Sequence, residues 1–255
     1  MINWSAIDPR STPGRIVRLP ARLLPKSAVM HIRRGPAHGM KWIAGSAVHG
    51  CWLGTFELTK QKLVERLVRP GMTVYDVGAQ AGFYTLIFSQ MVGVTGHVIA
   101  FEPCAYEARY LLDHLRLNSL SNVKVIQAAV GAASGLSRFS TERGPCQNQL
   151  QAEDTSPLLV PVLALDDTGL APPDVIKMDI EGGETDALLG ARRMLREHRP
   201  IVLVALHGPE QRAACPRILR EAGLLVFDLD GKSFDGSARS DEIYASPGPM
   251  SGFGG

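Results

Sequence analysis

Several features that would define a special class of protein are missing from this 255-residue sequence. No run approaches the roughly 18 apolar residues that span a bilayer, and Pro20 and Pro25 interrupt the early hydrophobic stretch before a secretory signal could form. Cysteines stand only at positions 51, 104, 146 and 215, a spacing that fits neither a CxxC metal knuckle nor a small disulfide framework. We therefore expect a cytoplasmic protein with reduced thiols and no membrane span.

Charge is distributed unevenly along the chain, although the net charge is only +2. The first fifty residues carry a single acid, Asp8, and the basic residues Arg10, Arg15, Arg18, Arg22, Lys26, Arg33, Arg34 and Lys41. A basic leader thus precedes an acidic body, which first suggests a nucleic-acid partner. Two short apolar runs, 28–32 and 40–44, flank a Gly-Pro turn and predict a β-hairpin within a leader that we bound at residues 1–57.

Beyond Gly71 short apolar runs alternate with amphipathic stretches, after a first helix predicted over 58–68. The pattern predicts strands over 73–77, 97–102, 123–128, 175–179 and 201–206 and helices over 82–91, 106–118, 185–197 and 211–222. Such alternation indicates an α/β fold whose parallel sheet is covered by helices on both faces. Runs 224–229 and 242–245 lack a crossover helix and predict a closing antiparallel pair, whereas 130–161 reads as an insertion or loop hairpin and 247–255 as a flexible end.

The first strand of this series runs into a glycine turn, Asp76-Val-Gly78-Ala79-Gln80-Ala-Gly82. Doubly wound sheets bind adenosine-containing ligands at such a turn, where the strand's carboxyl end and the next helix's amino end face a crevice. A dinucleotide fingerprint is absent because Gln80 takes the second glycine's place, and no P-loop lysine follows. Asp76 would repel a phosphate but suits an ammonium group, so the turn predicts S-adenosylmethionine as the cofactor.

The ends of the next two strands support the same cofactor. Glu102 closes the second strand, where an acid accepts hydrogen bonds from both ribose hydroxyls, and Pro103 follows it. Gln127, Ala128 and Ala129, at the end of the third strand, fall where the adenine edge is expected.

These motifs together resemble the FkbM family of S-adenosylmethionine-dependent methyltransferases. The resemblance rests on the glycine turn, on Val98-Ile-Ala-Phe-Glu-Pro103, and most of all on Ile176-Lys-Met-Asp-Ile-Glu-Gly-Gly-Glu184. It implies a Rossmann-like, doubly wound seven-stranded sheet of order 3-2-1-4-5-7-6 with strand 7 antiparallel, in a methyltransferase domain over 58–255. It also implies O-methylation of a hydroxyl, and a role for Glu57 at the methionine end of the cofactor.

Candidate catalytic groups lie after the fourth and fifth strands. Methyl transfer to a hydroxyl is aided by positioning and by a group that takes its proton. Asp179 ends the fourth strand beside the expected methyl position, and Glu181 and Glu184 follow closely; the alternative for these two glutamates is that they complement the positive amino end of the next helix. His207 follows the fifth strand, and its titration range suits a general base. We predict Asp179, Glu181 and His207 as catalytic and no metal.

The expected acceptor is a small molecule or glycan with a free hydroxyl: a sugar, a polyketide or another secondary metabolite. Nucleic-acid methylation is the first alternative, but the Asp/Asn-Pro-Pro-aromatic motif of base methylation is missing after the fourth strand, so no nucleic acid is expected. A methyltransferase-like domain that binds without catalysing is the second. The basic leader is predicted to cover the pocket or to join two subunits of a homodimer.

Overall fold

The central sheet follows from the alternation of apolar runs and helices. A computed structural model describes residues 24–140, 149–151, 158–236 and 241–249 of the chain. Within these residues seven strands form the sheet: β3 (Thr73–Val77), β4 (His97–Phe101), β5 (Val123–Ile126), β10 (Val175–Met178), β11 (Ile201–Ala205), β12 (Leu225–Asp228) and β13 (Glu242–Ser246). Their order is β5-β4-β3-β10-β11-β13-β12, and β13 runs antiparallel to both β11 and β12, whereas the other pairings are parallel. The predicted order and the closing antiparallel pair are confirmed.

Two hydrophobic layers cover the sheet because successive strand side chains point to opposite faces. Val74 packs with one buried cluster, which includes Leu86 and Leu111, whereas Tyr75 packs with the other, which includes Leu195 and Ile218. The helices that supply these layers are α2 (Leu58–Leu67), α3 (Phe83–Val92) and α4 (Ala105–Leu117), and then α5 (Glu184–Leu189), α6 (Arg192–His198) and α7 (Pro209–Glu221). The expectation of helices on both faces is confirmed.

One predicted helix is wrong in its extent. The stretch 185–197 forms α5 and α6 rather than one helix, with the break at Gly190 and Ala191. A side chain at Gly190 would collide with the backbone of Gly131, and the Gly190 carbonyl accepts the N–H of Asp166 at 2.8 Å. Close approach of a neighbouring loop therefore ends α5, which helical periodicity does not reveal.

The leader joins the same core. Strands β1 (Val29–His31) and β2 (Lys41–Ile43) pair antiparallel, as predicted, and the short helix α1 (Gly50–Leu53) follows. Trp42 is fully buried and stacks on His114 of α4 with the rings 3.9 Å apart. His114 accepts the N–H of Ile43 at 2.9 Å, so side chains and backbone both fix the hairpin to α4. Residues 1–23 lie outside the described residues.

The predicted insertion forms a second, smaller sheet. Its described strands are β6 (Ala129–Val130), β7 (Gly135–Ser140), β8 (Gln149–Gln151) and β9 (Leu159–Leu163), in the order β6-β9-β7-β8. Cys51, Cys104 and Cys215 are buried and form no disulfide bond among the described residues, and Cys146 and residues 250–255 lie outside those residues. No described helix combines the length and the apolar character that crossing a membrane requires.

Candidate active site

The turn after β3 lies at the point where the sheet reverses strand order, with β4 on one side and β10 on the other. Gly78 has a φ of 78°, and a side chain there would collide with the carbonyl of Asp179. Gln80 also has a positive φ, 49°, and its N–H donates to Glu102 Oε2 at 2.8 Å. The turn is therefore fixed by a hydrogen bond to Glu102, directly after β4, and by a close backbone approach that Gly78 permits because it has no side chain.

Asp76 lies beneath this turn rather than in the crevice. Its carboxylate is fully buried, accepts the hydroxyl of Thr85 at 2.6 Å and lies 3.2 Å from Lys177 Nζ. Lys177 also donates to the carbonyl of Gly78 at 2.9 Å. The predicted contact between Asp76 and a cofactor ammonium stays a prediction, and in this arrangement Asp76 anchors the lysine that supports the turn.

A cavity of about 200 Å³ opens on the β4 side of the turn. Glu102 lines it with Oε1 and Oε2 accepting the N–H groups of Cys104 and Gln80, both at 2.8 Å. Burial raises the pKa of Glu102 to about 7, against the lowering effect of these two amides. The apolar residues that line the same cavity include Ala128, Ala129, Val130 and Phe139. Polar recognition at one end and an apolar slot at the other suit a nucleoside.

A second cavity of about 460 Å³ opens on the other side of the turn. Aromatic rings of Trp42, Phe56, Phe83 and Tyr84 form one wall, so the leader contributes to it directly. Its acidic groups are Glu57, Asp179, Glu181, Asp241 and Glu242. Both cavities share Gly78, Gln80, Asp179 and Glu181. A ligand that reaches from one cavity into the other therefore passes the loop after β10.

Glu184 organises that loop. Its carboxylate is fully buried and accepts the N–H of Ile180 at 3.0 Å and that of Gly182 at 3.1 Å. Between these amides stands Glu181, in the left-handed region with a φ of 58°. Glu184 thus accepts the hydrogen bonds of the turn that carries Asp179 and Glu181. This role is more specific than a general favourable charge at the amino end of a helix.

His207 completes the group from the end of β11. Its Nδ1 lies 2.8 Å from Glu184 Oε1, and its Nε2 lies 3.6 Å from Asp179 Oδ1 and 3.8 Å from Glu181 Oε2. The hydrogen bond with Glu184, with the nearby carboxylates, raises the pKa of His207 to about 9. At neutral pH the ring is an imidazolium, and it must lose a proton before it can accept one from a substrate.

A buried lysine balances the acidic side of the second cavity. Lys60 Nζ lies 2.9 Å from Glu57 Oε2 and 3.2 Å from Asp179 Oδ2, and it also pairs with Glu242. Burial opposes the charge on Lys60, but these carboxylates together raise its pKa. The pKa of Asp179 is lowered to about 2, because Lys60, Lys177 and His207 outweigh the effect of its burial.

Within the described part of the chain, two groups of side chains have the ligand spacing of a metal site. Asp179, Glu181 and His207 place ligand atoms within 4.8 Å of one another, as do Glu57, Asp179 and Glu242. In the second group Lys60 contacts all three carboxylates. In the first, the imidazolium of His207 supplies the positive charge. The absence of a metal stays a prediction.

Most of the residues predicted for the site come together at the two cavities. The lining residues are Glu57, Gly78, Ala79, Gln80, Glu102, Pro103, Ala128, Ala129, Asp179, Glu181 and His207. Gly82 instead starts α3 with a φ of 93° and packs on Leu111, and Gln127 is exposed and lines neither cavity. The sequence did not predict that Lys60, Lys177 and Glu242 belong to the site. No local pattern distinguishes these residues from exposed ones, because only the fold buries the lysines among acids.

Known proteins of similar sequence and fold agree with this geometry. The model of the methyltransferase FkbM domain matches residues 76–227, which include the glycine turn, Glu102 and the loop after β10. Methyltransferase FkbM from Methylobacillus flagellatus KT has a similar fold, with a TM-score of 0.51 and 22% identity over 69% of this chain and 43% of that one. The fold is thus shared with a solved member.

Curated relatives match over shorter stretches. Ribosomal RNA large subunit methyltransferase E of Alkalilimnicola ehrlichii is 34% identical over 103 residues, which is 40% of this chain and 39% of that protein. The enzyme of the same name from Cellvibrio japonicus is 26% identical over 154 residues, or 60% of this chain and 63% of that protein. The chain thus spans less than two thirds of either relative. Because the family model covers more than half of its length, the chain belongs to the FkbM methyltransferase domain family.

Proposed function

We propose that this chain is an S-adenosylmethionine-dependent O-methyltransferase that acts on a hydroxyl of a small molecule or glycan. The observation that carries the proposal is the meeting of a nucleoside-sized slot and a larger charged cavity at Gly78 and Asp179. S-adenosylmethionine would place its nucleoside in the first cavity and its methyl group where the two cavities meet, at Gly78 and Asp179. The second cavity would then hold the acceptor.

The residues present fit this cofactor. Glu102 and Pro103 would hold the ribose, the wall of Ala128 and Ala129 would border the base, and the Gly78 turn leaves room for close approach of the backbone. Glu57 and Asp179 offer carboxylates for the ammonium of the methionine portion. When bound, S-adenosylmethionine supplies an electrophilic methyl group on a sulfonium centre.

The chain's own residues would orient the acceptor and receive its proton. Among the three candidates, Glu181 is the most suitable base, because burial raises its pKa whereas that of Asp179 is lowered to about 2. His207 would act as an imidazolium that holds Asp179 and Glu181 in place. Asp179 would then accept a hydrogen bond from the acceptor hydroxyl rather than its proton.

The charge of the second cavity supports an acceptor without phosphate. Its carboxylates outnumber the cations Lys177 and His207 that line it, so an anionic group would be repelled there. Aromatic side chains that line the cavity, such as Phe56 and Tyr84, suit the apolar faces of a sugar or a polyketide ring. These features support an uncharged, hydroxylated acceptor.

RNA methylation is the second candidate, supported by the curated relatives named as ribosomal RNA methyltransferases and by the basic leader. The full-length protein is incubated with a bacterial lysate and methyl-labelled S-adenosylmethionine, with and without prior nuclease treatment. We expect label in a nuclease-resistant product of low molecular mass. Label that disappears with nuclease would favour RNA, and calorimetric binding of the cofactor with no labelled product in any fraction would favour a non-catalytic binding domain.

The roles of the candidate acids are tested on the same reaction. We expect Glu181→Gln to lower kcat by two to four orders of magnitude, the range of general-base catalysis, with little change in cofactor affinity. An equally active Glu181→Gln enzyme would contradict this assignment. His198→Gln, at an exposed position on α6, is the matched control for handling and expression.

A further inference from the structure

Glu107 is a buried carboxylate that the site described above does not use. It is the third residue of α4, its side chain is 1% exposed, and it lines the first cavity near Glu102. Among the residues that the structure describes, neither oxygen of this carboxylate has a hydrogen-bond partner. A buried carboxylate without a hydrogen bond has lost its water contacts and gained nothing in return. A ligand that offers a hydrogen-bond donor in this cavity would therefore bind to it favourably.

The usual explanation for an acid at this place does not apply. A glutamate at the third helical position commonly reaches back to the N–H of the residue that caps the helix. Here the capping residue is Cys104, and its N–H donates to Glu102 Oε1 at 2.8 Å. The carboxylate of Glu107 is therefore displaced from the backbone, and burial raises its pKa to about 6.

The surroundings indicate which donor would fit. The same cavity is lined by Ala129, Val130 and Phe139, whose apolar side chains suit a flat ring. Glu102 already accepts two backbone amides and borders the glycine turn, on the sugar side of the cavity. A donor that meets Glu107 would therefore stand on the edge of the ring rather than on the sugar.

We infer that Glu107 accepts a hydrogen bond from the exocyclic amino group of the adenine base and makes this site selective for a 6-aminopurine. The inference rests on the proposed function, because it takes S-adenosylmethionine as the ligand. A purine with a 6-oxo group would instead point an acceptor at the carboxylate, and such a mismatch discriminates strongly. Glu107 is thus a specificity-determining residue of the cofactor site.

Calorimetry with two product analogues tests the inference. Full-length wild-type protein is titrated with S-adenosylhomocysteine and with S-inosylhomocysteine, its 6-oxo counterpart. We expect at least tenfold tighter binding of the adenosyl compound. In Glu107→Gln the ratio falls at least fivefold, because the amide both accepts from a 6-amino group and donates to a 6-oxo group. Glu107→Ala, which only truncates the side chain, is expected to lower the ratio as well.

Glu102→Gln is the matched control, expected to weaken both compounds alike and to leave their ratio unchanged. An unchanged ratio in a folded Glu107→Gln or Glu107→Ala variant would overturn the inference while leaving the methyl donor in place. Wild-type protein that binds neither compound would overturn the proposed function and the inference together. The two failures are thereby distinguished.

Discussion

The buried carboxylate of Glu184 makes hydrogen bonds to two backbone N–H groups and to His207. Replacing it by Gln keeps the shape but removes the charge, and the amide nitrogen then faces donors that need an acceptor. We expect Glu184→Gln to lower the free energy of unfolding by about 3 kcal/mol, the range for a broken buried charge pair. Urea unfolding measures the loss, and Glu197→Gln, on an exposed position of α6, should change it by less than about 0.5 kcal/mol.

His207 adds an alkaline limit to stability. Its pKa is raised from 6.5 to about 9 in the folded protein, so its stabilising effect is complete below pH 6.5 and is lost as pH rises through 9. Because a third of the side chain is exposed, we expect on the order of 1–2 kcal/mol rather than the full value of the shift. Unfolding measured from pH 6.5 to 9.5 should show this decline in the wild type and a flatter curve in His207→Gln. Parallel curves would contradict the raised pKa.

At the residue scale, sequence reasoning finds groups that stand in a motif and misses those that the fold supplies. Glu102, Asp179 and Glu181 follow strand ends, so their place at one sheet edge is predictable. Lys60 lies on α2, where helical spacing gives no sign that a lysine is buried, yet it is 4% exposed. Its partner Glu242 is remote in sequence, and no local pattern connects them.

The contact between the hairpin and α4 depends on a neutral histidine. His114 is fully buried between Trp42 and the carbonyl of Ala81, and it accepts the N–H of Ile43 at 2.9 Å. An imidazolium would lose that acceptor, and burial lowers the pKa of His114 to about 4. The hairpin, which supplies Trp42 to the second cavity, is therefore attached through a group that acid disrupts.

This attachment predicts a specific acid sensitivity. The folded pKa of His114 lies below its unfolded value, so its contribution is complete above pH 6.5 and is lost as pH falls toward 4, by up to about 3 kcal/mol. We expect His114→Gln to be less stable than the wild type at pH 7, with the difference shrinking by about that amount at pH 4. His97→Gln, at the exposed start of β4, is the control. A difference that does not change with pH would rule out titration of His114 as the cause.

At the element scale, periodicity predicts the strands, the hairpin and most helices because each has a local pattern of its own. The division of α5 from α6 is different, since it depends on the loop that packs against Gly190. Only an insertion or hairpin is predicted for the second sheet, because its first strand β6 pairs with its last strand β9, which lies far along the chain (Ala129 with Val162). Long-range contacts decide what local patterns leave open.

For the whole molecule, the question is whether the leader is an added lid or part of the domain. Ile32, Met40 and Trp42 share one buried cluster with Leu111 of α4, and Trp42 also lines the second cavity. The described part of the leader therefore belongs to the hydrophobic core and also lines the second cavity. The predicted role of the leader in a homodimer stays a prediction. A deletion that tests it also removes core residues such as Trp42.

Deleting residues 1–45 separates these roles. Loss of Trp42 alone is expected to cost about 3–5 kcal/mol, which is a large share of the 5–15 kcal/mol that stabilises a typical domain. We expect the shortened chain to lose cooperative thermal unfolding and cofactor binding together. A chain lacking residues 1–23 keeps the hairpin and serves as the comparison. If the longer deletion still unfolds cooperatively and binds S-adenosylhomocysteine, while light scattering shows a change in subunit number, the leader is an interface added to a complete domain rather than a part of its core.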